Sequence, residues 1–333
     1  MRLEHGRIYE IILWNWYDDK IDVILLKGAY LAEKVYKNST ERVMCDVDIL
    51  FKEEDVEKGI NSLYEMGYKP INKFCLESLK ANGIRHISQF TKNDFVIEPH
   101  FSITSPSRYI TPKMDMKGIW ERSISFNYHG VNCLVMTNED LLLHLCLHIA
   151  GDKFQQKILH FYDIKLVIEQ LEINWDIFRK RVIEWNISKA VYCVLYALNN
   201  IFFCKIQTNI LDSFCLNFTL HDNLKDILEK QILFLPTEKK EEKVILNAFA
   251  NRDTKTKIGY FFFTLFSPKN ITSRYGIKPD SKLYPYYVVH RFIVLTKKYL
   301  STFALFYLFN IKRRKQMLKK EEKIFQFEKW INL

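Results

Sequence analysis

Near residue 137 the apolar residues change the period at which they recur, and this change constrains the fold more than any other feature. Ahead of it, short apolar runs are separated by polar turns; behind it the spacing is almost wholly helical. This pattern predicts an α+β fold: a mixed sheet with flanking helices over residues 1–136, then a mostly α-helical domain over 137–333. A chain of 333 residues is long enough for both parts to bury apolar surface.

In the first part, Ile21–Leu26 (IDVILL) reads as a buried strand that Lys27-Gly28 breaks into a helix running to about Lys37. Val43–Phe51 (VMCDVDILF) alternates apolar and acidic residues, the period of a strand with two unlike faces. Val56, Ile60, Leu63 and Met66 form a helical stripe that stops at Gly67. Arg85–Phe90 and Phe95–Phe101 read as strands joined by a turn at Lys92-Asn93-Asp94, and Pro99, which cannot donate to a ladder, places an end or an edge in the second. Val131–Met136 is the last strand expected. From Thr137 the segment TNEDLLLHLCLHIA opens with an N-cap and acids in its first turn. Helices are expected around 160–171, 175–184, 187–203, 222–233, 239–250 and 287–325.

Charge narrows the function classes. Lys and Arg number 49 against 39 Asp and Glu, a net charge of +10. Ile311–Lys323 holds seven Lys/Arg and two Glu, so half the excess sits in one short segment. That is too local for an extended nucleic-acid track and predicts at most a weak anionic contact through the basic C-terminal segment. The preceding run Tyr299–Ile311 is apolar nearly all round a helix and reads as buried rather than as an interfacial anchor. Phe261, Phe262 and Phe263 read as core rings, not base-stacking platforms. The seven cysteines include no CxxC pair, which fits a reducing, cytoplasmic setting. The N-terminal segment carries scattered charges and is no secretory signal. The longest uncharged stretch, Ala190–Cys204, has 15 residues and would span roughly 22 Å as a helix, short of a bilayer core of about 30 Å.

The chemistry concentrates in Cys45-Asp46-Val47-Asp48-Ile49. On a strand, Asp46 and Asp48 point to one face, with Cα atoms roughly 6.6 Å apart. Two adjacent carboxylates stay ionised only with water or a cation between them, and Mg²⁺ takes one or two carboxylates together with substrate phosphates. Glu98, in Val96-Ile97-Glu98-Pro99-His100, is the third candidate on an expected neighbouring strand. Read by spacing alone, the pair also fits the solvent face of an amphipathic strand. Lys27-Gly28, at a strand-to-helix turn, adds a place where backbone can approach a phosphate beside a helix N-terminus.

The order LLKGAYLAEKVYKNSTERVMCDVDILF, then VIEPHF, then NEDLLLHLCLHIAGDKF and ILHFYDIKLVIE resembles the uncharacterised bacterial nucleotidyltransferase family of the polymerase-β-like superfamily. The resemblance covers roughly residues 20–170. It implies a polymerase-β-like fold and an enzyme that transfers a nucleoside monophosphate from an NTP such as ATP, with pyrophosphate leaving. Asp46, Asp48 and Glu98 would be the catalytic acids and would hold one or two Mg²⁺ ions. Gly28 and Ala29 would cradle the triphosphate, with Lys27 nearby and Arg42 pairing with phosphate charge. The chain departs from the usual Gly-Gly or Gly-Ser at this turn: Ala29 supplies no hydroxyl.

His144 and His148 lie four apart on one helix, a spacing that admits a zinc site, a packed face turned toward the cleft, or a substrate contact. His100 shares a strand face with Glu98 and could contact substrate or orient that acid, and Asp163 could orient a ring. No GxSxG elbow occurs. The expectation is therefore a cytoplasmic, Mg²⁺-dependent nucleotidyltransferase, its helical domain closing the cleft over an unknown acceptor: a small molecule, a peptide or RNA. The alternative is a non-catalytic nucleotide-binding or partner-binding module on the same fold.

Overall fold

The computed structural model describes residues 12–13, 15–81, 87–103, 112–215, 222–233, 267–278, 280–308 and 311–332. Their strands are β1 (Val23–Leu25), β2 (Val47–Phe51), β3 (Lys69–Pro70), β4 (Phe90–Lys92), β5 (Phe95–His100), β6 (Ile124–Tyr128) and β7 (Val131–Val135). They form one sheet in the order β3-β4-β5-β2-β1-β7-β6. The sheet is mixed: β2 runs parallel to β5 and β1 parallel to β7, while the other neighbours are antiparallel. Every residue of β1 and β2 is buried, as strands covered on both faces should be.

The helices are α1 (Lys27–Lys34), α2 (Val56–Glu65), α3 (Leu76–Ala81), α4 (Met116–Arg122), α5 (Asn138–Gly151), α6 (Ile158–Gln170), α7 (Trp175–Glu184), α8 (Ser188–Asn200), α9 (Thr208–Phe214), α10 (Asp222–Leu233), α11 (Pro268–Tyr275), α12 (Tyr284–Leu308) and α13 (Ile311–Asn332). The expected α+β class, a mixed sheet with flanking helices and a helical C-terminal region, is the architecture observed. None of the described helices is long and apolar enough to cross a membrane. The helix expected over 239–250, the rings Phe261–Phe263, and His5, His86 and His221 lie outside the described residues.

Two units emerge, one drawn from Met1–Asn72 and Gly83–Thr219, the other from Lys73–Asn82 and Leu220–Leu333. In the first, α5 is the central helix, packed against α6, α7 and α8. Ten of its 14 residues are buried, so the helix has apolar contacts all round rather than a single stripe. Thr137 caps it, its side chain accepting from the Asp140 N–H. In the second unit α11 packs on α3, where the Ser78 hydroxyl donates to Thr272 Oγ1 at 2.8 Å.

Several local outcomes differ from the sequence pattern. The strand expected from Val43 begins only at Val47. Ahead of it Ser39–Glu41 forms a 3₁₀ turn capped by Asn38, and Val43 lies exposed. Pro99 stands one residue before the end of β5, where the flank toward β4 is no longer a paired strand. It pairs with Ile49 inside the sheet, opposite the side where β4 has already ended, and its carbonyl accepts from the Ile87 N–H at 2.9 Å. The β4–β5 hairpin turns at Asn93 and Asp94, both with positive φ (47° and 67°), the combination that matches strand twist. The pattern expected around 287–325 is two helices, α12 and α13.

Candidate active site

The parallel pairing of β2 with β5 sets Asp48 opposite Glu98 and Leu50 opposite His100. Because side chains alternate, Asp48, Glu98 and His100 emerge on one face. One ligand atom from each lies within 4.8 Å of the others. His100 Nε2 is 2.9 Å from Asp48 Oδ1 and 3.9 Å from Glu98 Oε1, so His100 steadies Asp48 more closely than the acid two residues before it. Asp46, just ahead of β2, joins through Gln89, whose amide nitrogen donates to Asp46 Oδ2 at 2.9 Å and to Glu98 Oε2 at 3.3 Å. The three expected acids therefore share one neighbourhood, and a side-chain N–H stands between two of them.

The electrostatics follow from this crowding. Burial pushes the Asp46 carboxyl above its ordinary range, and the charges of Asp48 and Glu98 push it further. Burial acts on Asp48 in the same direction, but the Lys27 charge and the His100 contact overcome it and hold this acid far below the carboxylate range. The ligand cluster brought within reach of one ion is Asp48, Glu98 and His100, with Asp46 held beside it through Gln89, and this oxygen-rich donor set fits a hard divalent cation such as Mg²⁺.

Lys27 reaches Asp48 Oδ1 with its Nζ at 3.0 Å. It opens α1 in a left-handed conformation, φ +44°, a backbone cost of order 1–2 kcal/mol for a residue with a side chain. The special geometry of the Lys27-Gly28 turn therefore rests on Lys27. Gly28 serves close packing: a Cβ there would meet Met44 Sδ at 3.1 Å and Arg42 Cζ at 3.6 Å. Ala29 is buried. Leu26 supplies no side-chain cap to α1 and its first turn carries no acid, which leaves backbone N–H groups there without the usual anionic side chain.

Arg42 is turned toward α6 rather than left as a free cation. Its Nε and Nη2 donate to the two Asp163 oxygens at 2.8 Å each, and Nη1 donates to the Val43 carbonyl at 2.7 Å. Tyr36 Oη donates to the same carboxylate at 2.7 Å. Asp163, considered above as an orienter of a histidine ring, has His160 Nδ1 at 3.8 Å but is committed first to Arg42.

His144 is buried in α5, and neither ring nitrogen makes a well-formed hydrogen bond. His148 stacks edge-on to His160, ring centroids 5.3 Å apart. Among the described residues, no three-residue metal-ligand group includes His144 or His148. Burial, and next the Lys27 charge, push His144 down to about 3, and the same two causes put His148 well below its ordinary value. The unfolded chain takes up a proton at His144 near pH 6.5, whereas the folded chain refuses it until about 3. The stability contribution is thus complete above pH 6.5 and is lost as pH falls from there. His144 alone should cost about 2 kcal/mol between pH 7 and 5. Urea midpoints at pH 7, 6 and 5 should show this slope, and His144→Phe should flatten it; parallel slopes in the two proteins would contradict the assignment.

Gln89 is the site residue that sequence reasoning missed. It lies in coil ahead of β4, and no spacing or motif distinguishes it from other surface-type polar residues.

Comparison with known proteins adds three findings. The family described as uncharacterised nucleotidyltransferase matches residues 7–203. No curated protein matches the chain significantly. Among solved structures, the antibiotic-resistance factor ANT(2'')-Ia, described as showing substrate-regulated conformation dynamics, aligns with a TM-score of 0.39 at 9% identity. That alignment covers 61% of this chain and 95% of the other.

Proposed function

The chain belongs to the uncharacterised nucleotidyltransferase family, and on that premise we propose that it is a Mg²⁺-dependent enzyme that moves a nucleoside monophosphate from an NTP to an acceptor oxygen. One observation carries the reading: Asp48 and Glu98 stand side by side on parallel strands, with Asp46 tied to Glu98 through Gln89. The acceptor oxygen attacks the α-phosphorus and a new P–O bond forms. The bond from that phosphorus to its bridging oxygen breaks, and pyrophosphate leaves with the electron pair. Where the acceptor is a hydroxyl, Glu98 takes its proton. Asp46, Asp48 and Glu98 would hold Mg²⁺, and the ion would supply positive charge to compensate the phosphate oxygens.

The remaining residues bind and position. Lys27 pairs with the triphosphate, exchanging Asp48 for a phosphate oxygen, and the uncapped N-terminus of α1 at Gly28 and Ala29 offers backbone N–H groups. Arg42 acts at one remove, holding the segment that leads to Asp46. His100 orients Asp48, the buried His144 packs behind the site, and the partly exposed His148 suits an uncharged polar group of the substrate. Such in-line displacement asks for placement and charge compensation rather than covalent chemistry, so a site this sparse suffices.

Thermal melting with ATP, GTP, CTP or UTP, each with and without Mg²⁺, tests the reading. A nucleotide-induced rise in melting temperature should require the metal and disappear in Asp46→Asn/Asp48→Asn. A rise that survives those substitutions would sink the metal assignment. The absence of a hydroxyl at Ala29 favours a second reading, a nucleotide-binding module without turnover. A metal-dependent rise with no pyrophosphate released, whatever acceptor class is supplied, would support it.

A further inference from the structure

The second unit contains a cavity of about 310 Å³ between α10 and α13, at the lower end of the range for small-ligand pockets. From α13 come Gln316, Lys319, Lys320, Lys323 and Ile324; from α10 come Asp226, Ile227, Lys230 and Gln231. Ile227 and Ile324 are buried and make an apolar floor, and the lysines on α13 stand exposed at the rim.

The charge arrangement is unlike that of an ordinary solvated helix face. Positions 316, 319, 320 and 323 recur at i, i+3, i+4 and i+7, so they share one face of α13. That row contains no acid, although Glu321 and Glu322 lie within the same turn of sequence. Lys319 and Lys323 are four apart and Lys320 and Lys323 three apart, so the lysines repel one another by a few tenths of a kcal/mol per pair. The one acid in the lining, Asp226, is already engaged by Lys230, at 2.7 Å. With four lysines against one aspartate the lining carries three net positive charges. Apolar walls focus that potential instead of dispersing it.

We propose that this cavity is a binding site for closely spaced phosphate groups, built from residues other than the carboxylate cluster. A single carboxylate or halide would leave most of the charge uncompensated, whereas a chain of linked phosphates places two or more negative charges within its span. Lysine suits such a ligand because its ammonium group is a mobile point charge that accepts several phosphate geometries. The phosphates can belong to a free polyphosphate chain, as on a nucleotide, or to a single-stranded phosphodiester backbone. The proposal does not depend on nucleotidyl transfer at the carboxylate site.

Calorimetric titration of the full chain without divalent metal tests it, with inorganic tripolyphosphate and a six-nucleotide single-stranded RNA as probes. Lys319→Gln/Lys323→Gln should weaken binding at least tenfold. The control Lys58→Gln/Lys117→Gln removes the same charge from exposed positions on α2 and α4 and should stay within twofold. Removing two mutually repelling charges should leave the ligand-free melting temperature unchanged or raised, so misfolding cannot imitate the loss. Lysine-dependent binding of either probe supports the site, and RNA alone assigns its phosphates to a phosphodiester backbone. Binding of neither probe, or an equal loss in both double variants, overturns it.

Discussion

Asp48→Asn should lower nucleotidyl transfer by about 10³-fold or more while the protein stays folded. The substitution keeps the size of the side chain and removes its charge at the point where Lys27 and His100 converge on one oxygen. Asp46 and Glu98 remain, but one cannot replace the missing charge without leaving its contact with the Gln89 amide. The effect on stability is smaller because two contributions oppose each other. Lys27 loses a charge-assisted hydrogen bond, a loss of about 1.5–3 kcal/mol. Against that, Asp46 is relieved of a neighbouring negative charge that raises its pKa. Turnover, followed as pyrophosphate release, and the urea midpoint should be measured on the same preparation. Activity within tenfold of the original, or a loss no larger than the unfolded fraction explains, would remove Asp48 from the reaction.

The parts of this site that were legible in the sequence are those that local periodicity determines. Acids at 46, 48 and 98 stand out because each interrupts an apolar run, and alternation along β5 then sets Glu98 with His100, whereas Asp46 lies ahead of β2 and is placed by Gln89. What alternation cannot supply is register between strands. That Asp48 lies opposite Glu98 follows from the parallel pairing of β2 with β5, a choice made by the whole sheet order. Arg42 shows the limit more sharply. The family resemblance implies a phosphate ligand there, yet its partner is 121 residues away on α6. The left-handed conformation of Lys27 was equally invisible, since the adjacent glycine is the residue that ordinarily takes it. β6 escaped although Ile124–Tyr128 alternates apolar and polar residues: it is a short edge strand in which only Tyr128 is buried. The break between α12 and α13 carries no glycine or proline to announce it.

The second large effect is on stability, at Asp163. Its side chain is 1% exposed and that of Arg42 7%. Both oxygens accept from the guanidinium, and one also accepts from Tyr36. Asp163→Ala leaves a buried guanidinium without its counter-charge and a Tyr36 hydroxyl without its acceptor, and should cost about 3–5 kcal/mol of unfolding free energy. Asp163→Asn retains the shape and one acceptor oxygen, so its loss should be smaller. Most of the penalty comes from stranding one partner rather than from the worth of the pair. Arg42→Met/Asp163→Leu should therefore lose far less than the two single substitutions added together, with a coupling of about 2–3 kcal/mol. Urea unfolding of the four proteins gives this cycle directly. The consequence reaches the site because Arg42 also donates to the Val43 carbonyl, fixing the extended segment that delivers Asp46 to Gln89. A loss below about 1 kcal/mol in Asp163→Ala, or full additivity of the single substitutions, would mean that the guanidinium finds other partners and that this segment is held by its own backbone.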